Sequence, residues 1–238
     1  MTRLALLALL LWQGALSGES SLSASLEKAR SEFALSRAAA QQAEAEATPL
    51  ADTVRQLKAV ENPWWWTRWR LRRKLGQLQE SLDTLRLRRV SYEKSRQDLF
   101  LVLSALEEEL RSALNRELQH AHASRPKVQQ LFVRKGAFDR ELEAMGFGEG
   151  KPFPLVEAGQ ALSPSLRADR QKALQARAIQ LEAWSETVRE DLRLLRRARD
   201  SGAMDAALAA ERLKELEDLS TRISVMVRDN EKQLLSKN

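Results

Sequence analysis

The residues best suited to chemistry lie in one run, Trp64-Trp65-Trp66-Thr67-Arg68-Trp69-Arg70-Leu71-Arg72-Arg73-Lys74. On a helix Trp65 and Trp69 stand one turn apart on one face. Trp66 points away from the seam beside Arg73, and Trp64 falls in line with Leu71 and Leu75, in the seam. Arg72 and Arg73 follow Trp69 by three and four residues, within reach of its ring face for a cation–π contact worth about 0.5–1 kcal/mol at an exposed site. Such a run suits two tasks. Trp and Arg dominate the energetics of protein–protein contacts. Indole rings at headgroup depth with guanidinium groups on lipid phosphates also suit an anionic membrane surface. Trp65, Trp66 and Trp69 with Arg68, Arg70, Arg72 and Arg73 are therefore the candidate partner- or membrane-binding residues. The structural alternative is that these rings pack against another part of the chain as core.

No other stretch marks a reaction. The two histidines, His120 and His122, are two apart, so a helix points them to different faces and they form no bidentate metal pair. Carboxylates are scattered among Lys and Arg at helix-pair spacing, the pattern of a solvated face. Neither a glycine-rich phosphate loop, a nucleophile elbow nor an HExxH pattern occurs. Cysteine is absent, which excludes disulfides, thiolate metal sites and a cysteine-linked lipid anchor. The expectation is a protein that is not an enzyme, with no cofactor and no metal.

The formal net charge is +6, and it is localised. Residues 63–96 carry ten basic side chains against three acidic ones, +7 in all, which leaves −1 for the rest of the chain. A basic patch with aromatic rings fits nucleic acid in principle, but the N-terminus argues against that partner. Arg3, the apolar run 4–12 and the small residues Ala15 and Ser17 read as a secretory signal over residues 1–17, cleaved near Ser17. The apolar stretch 4–16 is shorter than the ~20 residues that span a bilayer, so an uncleaved anchor is the secondary reading. An exported helical chain without cysteine suits a bacterial periplasm better than a eukaryotic extracellular module, which disulfides would usually staple.

The elements that must position the Trp–Arg run follow from periodicity. Leu22, Leu26, Ala29, Phe33, Ser36, Ala40, Ala43, Ala47, Leu50, Val54 and Leu57 alternate by four and three, a heptad seam. Pro49 inside it predicts a kink or a restart into two nearly collinear helices. Asn62 as N-cap and Pro63 at the first helical position start a long central rod that reaches residue 122. Its seam runs through Leu71, Leu75, Leu78, Leu82, Leu85, Tyr92, Leu99, Leu103, Leu106, Leu110 and Ala113. The short link predicts that residues 18–122 form an antiparallel hairpin. Residues 123–165 read as short helices, broken at Gly136 and stopped at Met145-Gly146, then a Gly/Pro-rich connector. Residues 166–238 read as a second helical hairpin, with Leu174, Leu181, Val188 and Leu195 at sevens, a turn at Asp200-Ser201-Gly202, and Leu216, Leu219, Ile223 and Met226 before a polar Asn230.

Four residues interrupt the rod's seam: Arg89, Arg96, Glu117 and His120. Either the helix drifts so that Leu87 or Val90 faces the core, or the arginines pair with acidic residues of other helices, or these polar positions fix register, as Asn230 would. The fold class expected is all-α, elongated antiparallel helical hairpins in a coiled-coil bundle. The function expected is an exported, non-enzymatic scaffold or adaptor of the bacterial cell envelope. The alternatives are a peripheral membrane binder acting through the Trp/Arg-rich helix start, and a periplasmic holdase. Partners expected are an envelope protein, an anionic membrane surface or a second copy of the chain, and no nucleic acid.

Overall fold

A computed structural model describes residues 18–60, 64–120, 124–145 and 164–235. The expected export signal with its expected cleavage point, Asn62, Pro63, His122 and the expected connector over 146–163 lie outside the described residues. Those described form five helices and no strand: α1 Gly18–Lys58, α2 Trp65–Gln119, α3 Arg125–Ala144, α4 Pro164–Asp200 and α5 Ala206–Leu235. The protein is all-α. At 55 residues, α2 is about 80 Å long.

The α1 seam is on the inside as its spacing demands. Ala43 and Ala47 cluster with Leu85, Ala51 and Val54 with Leu78, the Phe33 ring stacks on Tyr92, and Leu26 and Ala29 join Leu99 and Leu103. As α1 advances its partners on α2 recede, so the two helices are antiparallel. Small alanines against leucines let the axes approach closely. Pro49 neither breaks nor restarts α1, contrary to the expectation. It removes one hydrogen bond to the Ala45 carbonyl, but both residues face water, so solvent satisfies that carbonyl. Ala47, Ala51 and Val54 meanwhile stay buried and hold the seam in phase.

The second half of α2 carries the main core. α3 returns antiparallel along it, with Lys127 on Glu117 at 2.7 Å and Lys135 near Glu107 at 3.3 Å. α4 runs parallel to α2, from Arg86–Asp169 at 2.5 Å to Asp191 beside the Lys135–Glu107 pair. α5 folds back on α4 through a turn in which Gly202 takes φ +69, which glycine adopts without steric cost. Asp205 then caps α5, its Oδ1 accepting the amides of Ala207 and Leu208. Trp184, Leu181, Val188 and Leu195 pack here with Phe132, Leu103, Leu114, Leu216 and Ile223. Arg30 donates to both oxygens of Glu141 and ties the start of α1 to the end of α3. On the other side of the Arg86–Asp169 pair, the buried clusters belong to α1 and α2 alone. Among the described residues the hairpin therefore extends beyond the body as a two-helix arm about 30 Å long.

Three sequence expectations are corrected. Gly136 does not break a helix, and α3 is one 20-residue helix rather than short pieces. The glycine is there because the Arg212 guanidinium crosses over it on its way to Asp139 at 3.0 Å. A Cβ at this position would come within 2.4 Å of it. Nor does α2 drift: Leu87 and Val90 are exposed, and Arg89 sits in the seam opposite Glu44 at 3.2 Å, with Arg96 on Glu93 at 2.7 Å. His120 is the exposed C-cap of α2 rather than a seam residue. Glu117 has a local task, since its carboxylate accepts the Ser124 amide and the Lys127 ammonium at the start of α3. Asn230 donates to the Leu174 carbonyl at 3.0 Å and so fixes the α4–α5 alignment within one chain.

Candidate functional site

The Trp–Arg run lies at the end of the two-helix arm. Trp64 is the N-cap of α2, with extended backbone (φ −62, ψ 160). That takes it off the helix and out of the seam in which its spacing with Leu71 placed it. Trp64, Trp65, Trp66 and Trp69 are 71%, 61%, 55% and 52% exposed, so they are not core. Arg68, Arg70, Arg72 and Arg73 are exposed as well. The structure thus brings all seven candidate residues to one solvent-facing tip.

The rings are organised among themselves. Trp65 stacks on Trp66 with centroids 4.6 Å apart, and Trp69 meets Trp66 edge-on at 6.0 Å. The Arg73 guanidinium lies 5.8 Å from the Trp69 ring centre, the contact that the i, i+4 spacing predicts. Trp66, Trp69, Arg70 and Arg73 also border a groove of about 580 Å³ that reaches Leu57 of α1.

The charge of the tip is predominantly positive. The first turn of α2 has no acidic residue and its N-cap makes no side-chain hydrogen bond, so the positive end of the helix dipole is left to solvent beside arginines. The α1 end adds Arg55 and Lys58, which the sequence reading did not include. The signal for them was their place in the last turn before a short link. Within 50–60 and 64–77 there are seven cations and one carboxylate, Asp52. By themselves these charges repel one another and the helix end. An anionic surface would relieve both.

Among the described residues no group of three or more His, Asp or Glu could hold a metal ion, and no helix is long and apolar enough to cross a membrane. No family model, curated protein or solved structure matches the chain.

Proposed function

We propose that this protein is an exported, non-enzymatic helical adaptor of the cell envelope that rests its hairpin tip on an anionic membrane surface. The observation that supports this reading is the exposure of four clustered indoles among seven cations at the end of a two-helix arm. Indole rings are at their most favourable where apolar and polar media meet. Each basic residue near an anionic leaflet adds about 1 kcal/mol of attraction. The arm holds the α3–α5 body away from that surface, where its faces are free to meet an envelope protein. A protein pocket for one or two of the indoles is the second reading, favoured by the groove beside Trp66 and Trp69.

Co-sedimentation with vesicles separates the two. The mature chain should bind phosphatidylglycerol-containing vesicles at low salt, bind them more weakly at high salt, and bind neutral phosphatidylcholine vesicles far less. Absence of vesicle binding in every condition would remove the membrane reading and leave the protein pocket.

A further inference from the structure

A second groove, of about 520 Å³, lies where α1, α2 and α4 meet, well down the body from the tip. Eight cations and three carboxylates line it. Each carboxylate is already engaged: Asp169 by Arg86, Glu44 by Arg89 and Glu93 by Arg96. Arg177 is different. It is only 9% exposed, and among the described residues it makes no hydrogen bond and no ion pair. The foremost charge acting on it is of its own sign, that of Arg96. Burial, and then that neighbour, make Arg177 release its proton more readily than an ordinary arginine. One turn on, Gln180 is buried with an Oε1 that receives no hydrogen bond. An uncompensated buried cation is among the most costly groups a fold can keep, and here it faces a space large enough for a ligand.

We propose that this groove binds a small soluble phosphomonoester. Its phosphoryl group would lie between Arg96 and Arg177, and its body over Ala40, Tyr92 and Leu174. A guanidinium matches two phosphoryl oxygens bidentately. A dianion answers both floor arginines and the excess of cations on the rim, Arg37, Lys94, Arg170 and Lys172, better than a singly charged carboxylate does. Turned about its terminal bond, the Gln180 amide would give an N–H to a phosphoryl oxygen. The same monoester chemistry occurs in the headgroup of phosphatidic acid. The soluble form is favoured because the groove level at Arg96 lies about 45 Å along α2 from Trp65, out of reach of a surface on which the tip rests. That clause depends on the proposed membrane contact; the groove itself does not.

The test is calorimetric titration of the mature chain with phenyl phosphate, with benzoate as a carboxylate of like body, alongside melting curves. Phenyl phosphate should saturate one site, raise the melting temperature, and bind at least tenfold more tightly than benzoate. Arg177→Gln should weaken it at least tenfold. That variant should also melt about 2–4 °C higher than wild type without ligand, because it deletes an unpaired buried charge. Gln180→Leu, which keeps both arginines, should weaken binding by a smaller factor and stands in should Arg177→Gln not fold. Equal affinity in wild type and Arg177→Gln, no preference over benzoate, or a ligand-free Arg177→Gln that melts below wild type would each overturn the site. Arg177→Gln should still sediment with phosphatidic acid vesicles as wild type does, and its failure to do so would refute the soluble ester.

Discussion

The tip makes a quantitative demand on its own residues. Trp65 and Trp69 each expose slightly more than half their surface, which leaves on the order of 100–150 Å² of indole per ring. If about half of that leaves water at headgroup depth, the transfer is worth roughly 1.5 kcal/mol per ring at about 25 cal/mol per Å². Trp65→Ala with Trp69→Ala should therefore weaken partitioning by about 3 kcal/mol, on the order of a hundredfold. Arg72→Ala with Arg73→Ala should cost about 2 kcal/mol, roughly thirtyfold, at low salt and much less at high salt. Neither pair should change folding stability by more than about 1 kcal/mol, because all four side chains are exposed. The assay is sedimentation with anionic vesicles across a salt series, with urea unfolding of each variant beside it. Full vesicle affinity in the Trp variant would show that charge alone does the binding. A Trp variant that lost several kcal/mol of stability would show that the rings are packed, contrary to the exposure from which the estimate starts.

Three further outcomes probe the body. Burial pushes the Glu107 carboxyl up to about 7 against the pull of Lys135. Between its ordinary 4.5 and about 7 the native state keeps a proton that the unfolded chain has released, so this group lowers stability as pH rises through that window. Glu107→Gln should accordingly gain on wild type over that window by up to about 3 kcal/mol, and urea titrations showing a flat or opposite trend would refute this. Gly136→Ala gains about 1 kcal/mol of helix propensity but displaces Arg212 from Asp139, a charged hydrogen bond worth about 1.5–3 kcal/mol; denaturant midpoints should show a net loss. Gly76→Ala meets nothing within 4 Å and should gain about 1 kcal/mol, read as a higher melting temperature.

Much of the fold was legible because helix pairs are written in periodicity. The eleven seam positions read on α1 are all buried or half-buried, straight through Pro49. Leu174, Leu181, Val188 and Leu195 are buried as their spacing of seven requires. The misreadings came where a local rule was applied without its tertiary partner. Gly136 looked like a helix break because nothing in the sequence near it announces that Arg212, far along the chain, passes over its backbone. Trp64 fitted the heptad by number, but a heptad position means nothing one residue before the helix begins. Leu87 and Val90 tempted a shift of register that would have cost Arg89 its partner Glu44. The seven candidate residues of the tip were legible by composition, whereas their exposure depended on how far α4 reaches along the arm, and no local pattern carries that.

The groove at Arg177 gains weight from how the same chain treats buried charge elsewhere. Deep in the core it holds Lys135 at 1% exposure, and it brings two carboxylates to it, Glu107 at 3.3 Å and Asp191 at 3.0 Å. Arg212, half-buried, lies against Asp139, which also accepts the Trp184 indole N–H. Arg89 in the seam faces Glu44. Interior cations here are matched one by one, as the desolvation penalty requires. Arg177, buried in its groove, breaks that habit. The cations around Trp65 and Trp69 bear no such penalty, because they face water at an exposed end. A buried charge left unmatched inside so well-matched a body is most economically explained by an anion that comes from outside it. The tip's case rests instead on its exposed rings, which suit an interface.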